Sequence, residues 1–191
     1  MSVPASSTEN TYTGIPTAKI LLWIAMVSMV MLFAGLTSAY VVRKAEGNWI
    51  AFNLPKMFTL STIVIIISSF TIQYALYAVK KNLLNQVKWA VITTLALGIA
   101  FVFMQFYAWN VMVKNGIYFV GNPSGSFIYV LSGMHLLHLF GGIIAMIVIS
   151  TKSLLEKYHP QNFLGLQLGA IFWHFLDLLW VYLFVFVTFI A

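Results

Sequence analysis

Ile63-Val64-Ile65-Ile66-Ile67 lies inside an uncharged apolar stretch running from about residue 57 to 79. A bilayer core about 30 Å thick needs roughly 20 apolar residues in helical conformation, and this stretch meets that length. Inside lipid the backbone must satisfy its own hydrogen bonds, which leaves helices or a closed barrel. Barrel strands alternate between lipid-facing and lumen-facing residues. Five consecutive aliphatic side chains do not alternate, so the segment reads as a transmembrane helix.

Four more stretches read the same way, at about 20–42, 89–113, 127–150 and 166–190. Breakers fall between them. Gly47, Asn53 and Pro55 lie in the first loop and Asn82 and Asn85 in the second. Gly116, Gly121, Asn122 and Pro123 lie in the third and Pro160 in the fourth. The loops are short, so consecutive helices are expected to be antiparallel neighbours. The expected fold is an all-α integral membrane protein: a polar N-terminal tail, 1–19, followed by one five-helix transmembrane domain, 20–191. The first apolar run is longer than a signal core and is followed by Arg43 and Lys44, so it reads as a retained span.

Composition agrees. The 191 residues are 61% hydrophobic and only 7% charged, with mean hydropathy +0.94. A soluble domain carries about 25% charged residues. The net charge of +6 does not point to nucleic acid, because the basic residues cluster at the ends of apolar runs, where they meet headgroups. Cysteine is absent, which excludes a disulfide framework and thiolate metal sites. Lys19, Lys80, Lys81, Lys88, Lys152 and Lys157 fall on one side; Arg43, Lys44, Lys56 and Lys114 fall on the other. The excess of basic residues places the N-terminus inside and the C-terminus outside. Trp23, Trp49, Trp89, Tyr118 and Tyr158 lie near span ends, where an aromatic belt is expected.

Intramembrane ionisable residues are costly and mark functional or structural sites. Asp177 is the one carboxylate within a span, and His135, His138 and His174 are the three histidines there; His159 lies in a loop. His135 and His138 are three apart, as are His174 and Asp177, so each pair shares one face of its helix. Three imidazoles and a carboxylate form a plausible set for zinc, iron or copper, or for haem. The competing reading, which we favour, is interhelical hydrogen bonding. His135 and Asp177 can lie in different halves of the bilayer or near its middle. A proton path is the third reading, but one carboxylate makes a poor relay. Polar residues such as Ser68, Ser69, Gln73 and Gln105 more often serve as interhelical glue. Gly35, Gly141, Gly142 and the Gly165/Gly169 pair mark close helix packing. No nucleotide loop, paired-carboxylate site or nucleophile-with-base arrangement is present, so no catalytic residue is assigned.

The segment Trp173-His174-Phe175-Leu176-Asp177-Leu178-Leu179-Trp180 resembles the WHFxDxxW helix of subunit III of the haem–copper cytochrome c and quinol oxidases. Ser132-Gly133-Met134-His135-Leu136-Leu137-His138 is similar to that family's TGFHGLH segment. Leu32 to Tyr40, Leu97-Gly98 with Gln105, and the loop Pro123 to Phe127 fit in the same order. Five spans match the short form of the family. The resemblance implies a non-catalytic subunit without its own cofactor or metal, with haem and copper in partner subunits. It implies packing on subunit I, contact with subunit II and possible membership of a larger respiratory supercomplex, bound phospholipid, and support of proton uptake in a bacterial-type cytoplasmic membrane. The histidine pairs would be structural, with Trp173 and Trp180, and Lys152 would hold a lipid phosphate. Met29, Ala108 and Gln167 stand where the family often has glutamates, which points to a scaffold version of the subunit. The alternatives are the accessory subunit of a nitric oxide reductase and a stand-alone metal- or haem-binding membrane protein. His174 and Asp177 are expected to fasten the last helix. Asp177→Ala would then cost about 3–5 kcal/mol, the penalty for breaking a buried charged hydrogen bond.

Overall fold

The computed structural model describes residues 17–49, 54–156, 158 and 161–190; the tail up to residue 16, His159 and Pro160 lie outside the described residues. Five helices follow one another: α1 (Thr17–Ala45), α2 (Lys56–Lys80), α3 (Leu84–Lys114), α4 (Pro123–Leu154) and α5 (Leu164–Ile190). Each contains one expected span and runs past it at one end or both. All five are long and apolar enough to cross a membrane.

Local chemistry sets the helix ends. The α2–α3 link is three residues long, with Asn82 at φ 58°. Asparagine tolerates this left-handed conformation better than most residues. The Lys81 and Asn82 amides close back onto Ala78 and Val79 carbonyls, ending α2. At the start of α4, Asn122 accepts from the Ser124 amide while Pro123 takes the first helical position, where no amide donor is needed.

Helices α2, α3, α4 and α5 close a ring in which α2 touches α3 and α5, and α4 touches α3 and α5. Helix α1 stands outside the ring against α4 and α5 and makes no contact with α2. The expectation that all consecutive helices are neighbours therefore fails at the first pair. The physical reason is that α5 offers Tyr182, whose hydroxyl donates to Thr37 Oγ1 at 3.2 Å, and an aromatic nest for Tyr40. Only Phe33, Thr37 and Tyr40 of α1 are buried. Tyr40 sits edge-on to Trp49, Phe127 and Phe186, with ring centroids 4.7, 5.6 and 5.3 Å away.

Trp23, Trp89 and Tyr118 are exposed near the helix ends, as a belt requires, whereas Tyr158 is buried and Trp49 packs on Tyr40. At one end of the bundle Lys88 pairs with Glu156 at 2.7 Å, joining the start of α3 to the end of α4.

Glycine positions divide sharply. A Cβ on Gly142 would lie 2.8 Å from Leu176 Cδ1, and one on Gly169 would collide with Ile149 Cδ1. A Cβ on Gly165 would come within 3.3 Å of the Tyr158 hydroxyl. These three sit at close approaches. Gly35 and Gly141 are exposed and a Cβ on either meets nothing within 4 Å, so neither supports helix packing within this chain. Both lie on outward helix faces, which spacing alone does not distinguish from inward ones.

Candidate functional site at the α2–α5 interface

Helix–helix association in lipid lacks a strong hydrophobic drive and relies on packing and interhelical hydrogen bonds, averaging about 0.6 kcal/mol each in membrane double-mutant cycles. Helix α5 directs such bonds at α2 over two turns. Trp173 Nε1 donates to Ser68 Oγ at 3.0 Å, and Trp180 Nε1 donates to Thr62 Oγ1 at 3.0 Å. As the α5 number rises the α2 number falls, as an antiparallel pair demands. The two indoles are seven residues apart, which returns them to one face of α5.

Between these bonds lies His174. Its Nε2 is 3.2 Å from Gln73 Oε1 and its Nδ1 is 2.5 Å from Ser69 Oγ. A carboxamide oxygen only accepts, so for a neutral ring Nε2 carries the proton and Nδ1 accepts from the Ser69 hydroxyl.

Asp177, one turn further along α5, is buried and neither carboxylate oxygen has a hydrogen-bond partner among the described residues. Ser69 is the side chain placed to offer it a hydrogen bond, but that hydroxyl is engaged by His174. The expectation that Asp177 fastens α5 through a hydrogen bond is therefore corrected. His174 makes the bonds to α2 and Asp177 makes none among the described residues. The cost assigned to Asp177→Ala assumed a partner that the described residues do not supply.

His135 is fully buried between α3 and α5, its ring 6.0 Å from Phe101 and 5.0 Å from Trp180, and neither nitrogen has a partner among the described residues. His138 turns to α1. Its ring is 5.7 Å from Phe33, and its Nδ1 lies 2.7 Å from the Met134 carbonyl oxygen of its own helix. Since His135 packs on Trp180, one turn from Asp177, the two polar pairs sit at neighbouring levels rather than in opposite halves. Their rings nonetheless diverge. His174 faces α2, His135 faces α3 and α5, and His138 faces α1. Among the described residues no three His, Cys, Asp or Glu side chains come together as a metal-ligand group.

Further polar bonds join the helices, Gln105 among them as the glue the sequence suggested. Gln105 Nε2 donates to Ser61 Oγ at 2.9 Å, Thr71 and Thr94 share a hydroxyl bond of 2.7 Å, and Trp109 Nε1 donates to Ser132 Oγ at 3.1 Å. The α2 acceptors of the two indoles, Ser68 and Thr62, stand six residues apart, so no heptad spacing in the sequence singles them out. Lys152 is exposed in the last turn of α4, at the end that also carries Lys80, Lys81 and Lys88.

This is a polytopic helical membrane protein whose intramembrane polar groups mostly bond helix to helix. The family model for cytochrome c oxidase subunit III matches residues 7–191, and the chain belongs to that family. A Mycobacterium tuberculosis protein described as "Probable cytochrome c oxidase subunit 3" is 32% identical over 177 residues, 89% of this chain and 85% of that one. Cytochrome c oxidase subunit 3 of Thermostichus vulcanus is 31% identical over 172 residues, covering 85% and 82%. The same subunit of Bacillus sp. (strain PS3) is 29% identical over 171 residues, covering 85% and 80%. The chain is thus an integral membrane component of an oxidase complex in a respiratory chain.

Proposed function

We propose that this chain is the non-catalytic subunit III of an oxygen-reducing, proton-pumping haem–copper oxidase in a bacterial cytoplasmic membrane. It packs mainly on subunit I, also meets subunit II, and binds phospholipid. The family match over residues 7–191 carries this reading. The internal wiring supports it, because Trp173, His174 and Trp180 are committed to hydrogen bonds with α2. Haem and copper belong to the partner subunits. The N-terminus lies inside, from the excess of basic residues on that side.

The role is one of scaffold and lipid seal. Of the positions where related proteins often carry glutamate, Ala108 is wholly buried in the core, Met29 is half-buried and Gln167 is exposed. None of the three can hold a proton, so support of proton uptake acts through shielding of subunit I. Lys152 provides an ammonium for a lipid phosphate. An apolar groove of about 410 Å³ between α1 and α5, lined by Val30, Phe33, Phe175 and Tyr182 among others, suits an acyl chain.

The test is a pull-down of the tagged chain in mild detergent with a reduced-minus-oxidised spectrum and metal analysis. Co-purifying haem and copper that leave with the larger partners support the reading, and a colourless lone chain refutes it. A large loss of proton pumping in an assembled complex, on replacing one intramembrane polar residue of this chain, refutes the scaffold role.

A further inference from the structure

Gln73 is exposed on the outer face of α2, yet it lies seven residues before Lys80, about 10 Å of helical rise below that lysine. Its carboxamide oxygen is engaged by His174. The carboxamide nitrogen, with two donor hydrogens, has no acceptor among the described residues. Lipid tails supply none, and an amide left unpaired in hydrocarbon costs roughly several kcal/mol.

Other exposed polar side chains on the lipid-facing surface solve this locally. Thr93, Asn110 and Thr188 each donate to the carbonyl four residues back on their own helix. Gln73 does not fold back, because the bond to His174 holds it. Ile66, Phe70 and Tyr77 are exposed on the same face of α2, giving Gln73 a large apolar surround. A polar side chain with an unspent hydrogen-bond donor at membrane depth is the group that bonds across to a neighbouring helix.

We propose that the α2 face centred on Gln73 is the surface on which a transmembrane helix of another oxidase subunit packs, offering a hydrogen-bond acceptor to the Gln73 carboxamide nitrogen. This rests on the reading of the chain as an oxidase subunit. Lipid is a poorer occupant because its acceptor oxygens sit at the headgroups, about 10 Å away along the helix. The acceptor is a side-chain hydroxyl, carboxamide or free main-chain carbonyl at that depth.

The absence of cysteine makes the test clean. Single cysteines at Phe70 and Ile66 on this face, and at Phe103 and Ile144 on exposed faces of α3 and α4, are labelled with benzophenone maleimide in native membranes and photolysed. Protein adducts from Phe70→Cys and Ile66→Cys, with few from Phe103→Cys and Ile144→Cys, are expected. Lipid adducts alone from the α2 positions, or protein adducts equal or stronger from α3 and α4, overturn the proposal. The redox spectrum of the same pull-down separates the two readings. Haem without α2 adducts removes only this docking face, whereas no haem removes the subunit reading and the docking face with it. As a second readout, Gln73→Leu is expected to lower retained haem per chain severalfold after detergent washing, while Asn110→Leu leaves it unchanged. Equal retention in both overturns the role given to Gln73.

Discussion

Trp173 lies so close to Gly98 that a Cβ added to the glycine would sit 2.5 Å from Cη2 of the indole. Trp173 is wholly buried, and its ring is held by the bond to Ser68. A rigid ring pinned at its nitrogen cannot swing aside as an alkyl tip can. Gly98→Ala is therefore expected to destabilise the bundle by about 1–3 kcal/mol, the usual overpacking range. Gly141→Ala, where a Cβ meets nothing, is the neutral control. Thermal unfolding in detergent checks both, and equal midpoints for the two variants would contradict the packing argument.

The Gln105 bond to Ser61 joins α3 to α2 with both residues fully buried. Ser61→Ala leaves the Gln105 amide without an acceptor and is expected to cost about 1–3 kcal/mol. Replacing both, Ser61→Ala with Gln105→Leu, removes the orphan and is expected to recover most of the loss. A double-mutant cycle on unfolding free energy reads this. Additive losses would mean the bond contributes nothing specific.

Neither Asp177 carboxyl oxygen has a hydrogen-bond partner among the described residues. Exchanging that carboxyl for a carboxamide breaks no bond made there. Asp177→Asn is expected to change the stability of the isolated chain by no more than about 1 kcal/mol. By contrast, His174→Phe loses the bonds to Ser69 and Gln73 and is expected to loosen α5 from α2. Proteolysis of the detergent-solubilised chain compares them, and a more fragile Asp177→Asn would reverse the assignment.

Tyr158, in the α4–α5 connection, has a buried hydroxyl without a partner among the described residues, and burial raises its pKa above the ordinary value of 10.0. The folded state thus holds the phenolic proton more tightly than the unfolded chain. Its contribution is fully present below pH 10 and is lost as pH rises through the folded pKa. Tyr158→Phe is expected to flatten the alkaline limb of the stability profile while leaving neutral pH little changed. A pH series of unfolding midpoints from 8 to about 12 reads the slope, and an unchanged limb would rule this tyrosine out.

The residues carrying the resemblance were legible because they are few and chemically distinct. Three histidines, one aspartate and two tryptophans stand out in apolar helices at spacings of three and seven. Their partners were harder to see. Serine and threonine recur throughout membrane helices, and nothing in Ser61, Thr62 or Ser132 marks them as the acceptors or donors chosen.

Length, apolar composition and the absence of alternation sufficed for the five spans and their helical form, and the ordered motifs of α1, α3, α4 and α5 carried the family. Packing in three dimensions settled that α1 leaves its neighbour α2 for α4 and α5, that Gly98 rather than Gly35 receives a ring, and that Asp177 finds no partner among the described residues. The physical reason is that these helices are apolar on nearly every side, since lipid and protein interior are alike to a leucine. Hydrophobic periodicity, which marks the buried face of a soluble helix, therefore cannot say which face turns inward. Shape and a few hydrogen bonds decide it, and both depend on neighbours from other helices.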